Sequence, residues 1–178
     1  MSDVMRDETV QLLQALIRNA CVNDGTVASG HEYRSVETLT DYFGIQGTVF
    51  EPQPGRQSLL HRVAGTDPSA PSLLLMGHTD VVPVTTDTWS RDPFGAEIAD
   101  GFVWGRGAID MLNVTAAMAV VFKRYLTGEL APPPGDLLYL AVADEEAAGM
   151  YGARYITEHA WDQVGVDYVL TEIAYPPI

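Results

Sequence analysis

Cysteine occurs once in the 178 residues, at Cys21, which excludes an intrachain disulfide and a cysteine-rich zinc site. Basic residues are scarce. There are ten, of which only Lys123 is a lysine, against 24 acidic residues, for a formal net charge of -14. Nucleic acid and anionic membranes need clustered Lys and Arg, so neither is expected as a partner. No apolar run approaches the roughly 18 residues of a membrane-spanning helix. The stretch from Met1 to Glu8 is polar and acidic, unlike a basic-then-apolar export signal, so the expected location is cytoplasmic. Disorder is excluded too: 47% apolar and 19% charged residues are globular proportions, and the length suits one domain or most of one.

The apolar periodicity predicts a first helix near 4–21, with Val10, Leu13, Ile17 and Ala20 on one face. Ser29 and Glu32 have the spacing of a capping box for a second helix, with Val36, Leu39 and Phe43 inward and Gly44 as its stop. Segments 47–52 and 58–64 read as short strands bounded by Pro or Gly. The continuous run from Ser72 to Met76 suits a strand covered on both faces. Asp100-Gly101 marks a hairpin. A third helix is expected near 111–125, striped by Met111, Val114, Met118, Val121 and Tyr125. A buried strand at 137–143, a helix at 150–159 and a buried strand at 168–171 complete the pattern. Alternating strands and helices give an α/β fold with a mixed, mostly parallel sheet flanked by helices. No helix follows the last strand before Tyr175-Pro176-Pro177-Ile178, so the domain is expected to be incomplete at its C-terminus.

Parallel strands present functional residues at their carboxyl ends. Three such ends are polar here: Gly77-His78-Thr79-Asp80, Asp144-Glu145-Glu146 and Thr171-Glu172. In extended chain His78 and Asp80 face one side, so His78 can hold a metal through one ring nitrogen with Asp80 near the other. Alone, the pair reads more readily as a loop histidine without a ligand role, since His-x-Asp occurs often by chance. Glu145 and Glu146 repel unless a cation or a proton intervenes, and one can then bind metal while the other serves as general base. Alone, they read as a solvated acidic turn. Asp110 is a candidate helix N-cap as much as a ligand. The convergence of four carboxylates and one imidazole suits zinc, cobalt or manganese. His31, His61 and His159 have no motif partners and read as structural or solvent-facing.

Three ordered blocks, Leu75-Met76-Gly77-His78-Thr79-Asp80-Val81-Val82-Pro83, Trp104-Gly105-Arg106-Gly107-Ala108-Ile109-Asp110-Met111 and Ala143-Asp144-Glu145-Glu146, together resemble one family. It is the di-zinc metallopeptidase family of acetylornithine deacetylase, succinyl-diaminopimelate desuccinylase, aminoacylase and carboxypeptidase G. The resemblance implies a zinc-exopeptidase-like catalytic domain, with residues 1–178 as its N-terminal portion. It implies that His78 binds one zinc with Glu172, that Asp110 bridges both zincs, and that Glu146 binds the other. Glu145 would be the general base acting on the bridging water, and Asp80 the partner of His78. A cis peptide is implied at Asp110-Met111. The implied reaction is hydrolysis of amide bonds in N-acyl amino acids or small peptides, with Co2+ or Mn2+ as substitute metals and a homodimer as the assembled form.

The resemblance also sets out what is missing. Family members are roughly twice as long, with a lid and dimerisation domain and a final zinc-binding histidine in later segments. The alternative expectation is therefore a truncated, catalytically incompetent metal-binding fragment that needs a missing segment or a partner. Carboxylate clusters also bind magnesium, as in phosphohydrolases. His78 and the scarcity of nearby basic residues, with Arg106 the sole candidate, weigh against that reading.

Overall fold

The structure, a computed structural model, describes residues 3–172. Helices α1 (Asp3–Arg18) and α2 (Tyr33–Phe43) precede strands β1 (Thr48–Gln53), β2 (Arg56–Val63) and β3 (Leu73–His78). A small hairpin follows, β4 (Glu97–Ala99) and β5 (Phe102–Trp104). Then come α3 (Leu112–Leu126), β6 (Leu137–Val142), α4 (Ala153–His159), α5 (Trp161–Val164) and β7 (Tyr168–Leu170). The main sheet has the order β1-β2-β6-β3-β7. Strand β3 pairs in parallel with both β6 and β7, while β2 runs antiparallel to its neighbours β1 and β6. Only β2 opposes the common direction, so the sheet is mixed and mostly parallel, as expected.

The two faces of the sheet build two cores, and the period-2 alternation of β6 shows why. Leu137, Tyr139 and Ala141 pack against α1, α2 and α3 with Leu13, Ile17, Leu39, Phe43, Ala119 and Phe122. Leu138, Leu140 and Val142 pack on the other face with Ile156, Ala160 and Val164 of the α4–α5 region. All six residues of β6 are buried, as a central strand covered on both sides requires. Helix α2 stops at Gly44, whose φ of 70° lets its N–H reach the Thr40 carbonyl at 2.9 Å.

Three expectations are corrected. The Ser29–Glu32 capping box does not form: Glu32 stands at the N-cap of α2 without a side-chain cap bond. Its fully buried carboxylate instead takes charge-assisted hydrogen bonds from Arg56, which outweigh a local bond to the backbone. The stripe of α3 is also rotated. Met118 is buried, but Val114 and Val121 are more than a third exposed, and the inward face is built from Leu112, Thr115, Ala116, Ala119 and Phe122. Small residues win that face because the helix lies close on β3, where a Cβ on Gly77 would stand 2.4 Å from Thr115 Oγ1. Lastly, β7 is not buried. It is an edge strand paired to β3, and Tyr168, Val169 and Leu170 are each more than half exposed. The segment Tyr175-Pro176-Pro177-Ile178 lies outside the described residues.

Candidate active site

Because β3, β6 and β7 are parallel, their carboxyl ends meet at one edge of the sheet. His78 is the last residue of β3, Asp144-Glu145-Glu146 follows β6, and Thr171-Glu172 follows β7. Asp110 arrives from the other direction, two residues before α3. The Asp110-Met111 peptide is cis.

His78 is buried, and its two nitrogens face different partners. Nδ1 lies 2.9 Å from the Asp80 carbonyl oxygen, which can only accept, so Nδ1 carries a proton. The Asp80 carboxylate is farther from that nitrogen, at 3.6 Å. Nε2 is turned toward Asp110 Oδ1 at 3.1 Å, Glu172 Oε1 at 3.3 Å and Glu145 Oε2 at 3.7 Å. A neutral imidazole would therefore point its remaining lone pair at three carboxylates. Such an arrangement needs a cation or a proton between the groups.

Two sets of donors lie close enough to share an ion: His78 with Glu145 and Glu172, and His78 with Asp110 and Glu146. Within each set the ligating atoms lie within 4.8 Å of one another. Two of these carboxylates, Glu146 and Glu172, resist ionisation. Burial, with Asp110, Asp80 and Glu145 nearby, pushes Glu146 up to about 7 despite the opposing pull of His78. Glu172 is raised by burial and by the Asp110 and Glu145 carboxylates, against His78. Burial pulls His78 down, but Asp80, Glu145 and Asp110 outweigh it and raise its affinity for a proton. The donor set is one imidazole among oxygen ligands, with excess negative charge, and it fits a divalent cation.

The carboxylates stand between two cavities. One, of about 440 Å³, is lined by Met76, Met111, Val142 and Ala153 beside Glu145 and Glu172. The other, of about 350 Å³, is lined by Trp89, Trp104 and Arg106 beside Asp110 and Glu146. Arg106 stacks on the Trp89 ring at 5.3 Å, and its buried Nε has no hydrogen-bond partner among the described residues.

Comparison with known proteins bears on the family and the fold. The model of peptidase family M20/M25/M40 matches residues 74–178, more than half of the chain. The chain belongs to this family. Among curated members it is 43% identical to a succinyl-diaminopimelate desuccinylase of Maricaulis maris over 97 residues, 53% of this chain and 24% of that protein. It is 35% identical to another from Methylorubrum extorquens over 119 residues, 66% of this chain and 31% of that protein. The chain thus spans about a quarter to a third of these M20 relatives. A solved M20 metallo-carboxypeptidase from Sulfolobus solfataricus superposes with a TM-score of 0.70 at 22% identity, covering 98% of this chain and 38% of that one. Human carnosine dipeptidase 1 superposes at 0.67 and 22%, covering 97% and 39%. At that identity the two structures bear on the fold, an M20-type catalytic layer.

His78, Asp110, Glu145, Glu146 and Glu172 are brought together, and Asp80 lies directly beneath them. Sequence reasoning missed a second tier: Asn23, Glu32, Arg56 and Asp144 are buried behind Asp80 and joined by hydrogen bonds. Its partners lie 24 to 121 positions apart in sequence. Only Asp144, inside the third motif block, carried any signal.

His61 and His31 divide as expected of histidines without motif partners. His61 is buried against the edge of Phe43, with ring centroids 4.7 Å apart, and His31 is exposed.

Proposed function

We propose that the protein is a zinc-dependent hydrolase of amide bonds in N-acyl amino acids or small peptides. The observation that carries this is the His78 ring, with its Nδ1 proton committed to a carbonyl and its Nε2 aimed at three carboxylates. Family membership and the desuccinylase relatives support the amide-cleaving class.

His78, Asp110 and Glu172 would hold one zinc, and Asp110 and Glu146 the other, with Co2+ or Mn2+ as substitutes. Bound there, the metal would act as a Lewis acid toward the amide carbonyl and lower the pKa of water. The chain's own residues supply the rest. Glu145 is half exposed at the mouth of the larger cavity, so its carboxylate can take a proton from the attacking water and deliver it to the leaving amine. Met76, Met111 and Val142 give that cavity an apolar wall, which would keep water from one side of a bound amide. Asp80 keeps the His78 ring in the Nδ1–H tautomer through its carbonyl oxygen. A homodimeric assembly belongs to the same reading and rests on the resemblance. A cytoplasmic location belongs to the same reading. No described helix is long and apolar enough to cross a membrane.

The test is Glu145→Gln in the full-length protein, assayed against a panel of N-succinyl and N-acetyl amino acids and dipeptides. Turnover should fall by about 10²–10⁴-fold, the usual worth of a positioned general base, while bound metal is retained. Turnover within a few-fold of the parent would remove Glu145 from the base role.

A further inference from the structure

Behind the open carboxylates lies a hydrogen-bonded chain of five buried side chains, Glu32, Arg56, Asp144, Asn23 and Asp80. Arg56, at the start of β2, is 1% exposed and grips Glu32 with two nitrogens, Nε to Oε2 at 2.9 Å and Nη2 to Oε1 at 2.8 Å. The same Nη2 donates to Asp144 Oδ1 at 2.7 Å. Burial alone would weaken the guanidinium's hold on its proton, but Glu32 and Asp144 outweigh it and keep the group charged. Asn23 spends its amide on two carboxylates at once, Asp144 Oδ1 at 3.0 Å and Asp80 Oδ2 at 2.8 Å. Its own Oδ1 accepts from the Gly25 N–H and the Ser29 hydroxyl, so the orientation of the amide is not interchangeable.

Asp80 is where this chain reaches the site. Its two carboxylate oxygens accept the backbone N–H groups of Glu145 and Glu146, at 3.2 and 3.1 Å. Its backbone oxygen accepts from His78. One residue thus sets both the imidazole and the backbone of the glutamate pair. Asp144, with φ at 66°, anchors the same turn from the other end by accepting the Tyr151 N–H at 2.9 Å.

We infer that Asn23 and Arg56 are positioning residues: Asn23 joins Asp80 to Asp144 and Arg56 anchors Asp144 to Glu32, so together they fix the turn that carries Glu145 and Glu146, and so the spacing of the donors on either side of His78. Glu32 and Asp144 face the one guanidinium, and Asp144 and Asp80 share the Asn23 amide; without these donors the three buried carboxylates would separate, since like charges close together in a buried site repel strongly. The inference deepens the proposed hydrolase reading and rests on it only for its metal arm.

The test uses the full chain with Asn23→Ala and, separately, Arg56→Lys, each checked for native circular dichroism. The first readout needs no metal: amide hydrogen exchange at Glu145 and Glu146 compared with that of β6. Exchange at the two glutamates should accelerate more than ten-fold in Asn23→Ala while β6 stays near the parent rate. Arg56→Lys, which keeps the charge but not the two-pronged grip, should show a smaller change of the same kind. The second readout is titration with Zn2+ alone and the visible spectrum of added Co2+. Affinity should fall by about 10–100-fold, as for other residues that orient ligands, and the Co2+ bands should shift. Unchanged exchange at the glutamates, or acceleration no greater than in β6, in a variant that folds would overturn the inference. If Asn23→Ala fails to fold, Arg56→Lys decides by the same comparison. If the parent binds no metal, the hydrolase reading fails, and the exchange comparison still decides whether Asn23 and Arg56 position the turn.

Discussion

His78 shows how much chemistry one side chain can state. Its burial, the Asp80 carbonyl at one nitrogen and three carboxylates at the other define the tautomer and the direction in which a ligand must lie. Cys21 makes the opposite statement. It is buried, with Sγ 3.4 Å from the His31 carbonyl oxygen and 3.3 Å from Ser35 Oγ. Burial is the main cause that pushes its thiol up to about 11, with Glu32 adding to it. At pH 8 its thiolate fraction should be about 100-fold below that of an ordinary thiol of pKa near 9. Iodoacetamide labelling of the native chain should be slower by at least that factor than labelling in urea. Equal rates would show an open site. The unfolded thiol ionises first as pH rises. The stability this group contributes is therefore full below the ordinary value of 9.0 and is lost as pH climbs toward about 11. Denaturant midpoints between pH 8 and 10.5 would show whether stability falls in that window.

At the scale of elements, the strand ends were legible and the helix faces less so. The run Leu73 to Met76 and the run Leu137 to Ala143 announce buried strands by continuous hydrophobicity, and the polar residues after them mark the site edge. Helix α3 has apolar residues on more than one side, so periodicity alone chose Val114 and Val121 over Thr115 and Ala116. What decides its inward face is the close approach to β3, which sequence periodicity does not encode. That contact makes a prediction. Gly77→Ala would place a Cβ 2.4 Å from Thr115 Oγ1 on the strand that carries His78. Overpacking of this kind costs about 1–3 kcal/mol, and the urea midpoint should fall accordingly. A Gly77→Ala, Thr115→Ser double variant retains the hydroxyl and should recover little. Gly77→Ala, Thr115→Ala should recover much of the loss. No loss in Gly77→Ala would contradict the packing account.

At the scale of the molecule, two cores on opposite faces of one sheet hold three parallel strand ends in register, and the candidate site joins those ends to Asp110 from the segment before α3. The fold class was legible from the alternation of strands and helices, and five of the six site candidates, all but Glu172, lie in contiguous motif blocks. The supporting tier of Asn23, Glu32 and Arg56 was not legible, because each contact joins segments far apart in the chain, and Glu32 offers a nearby capping pattern that is locally plausible. The exposure of β7 escaped notice for a related reason: an apolar run of three residues reads alike at a sheet's centre and at its edge. Together with Asp110, these strand ends make the proposed metal centre. It is tested most directly by the zinc content of the purified chain after exhaustive buffer exchange, measured beside His78→Ala. At least about one zinc per chain is expected in the parent, held by the donors that converge on His78, and its loss in the variant. Parent protein without zinc above background, or a variant that keeps the parent's zinc, would contradict it.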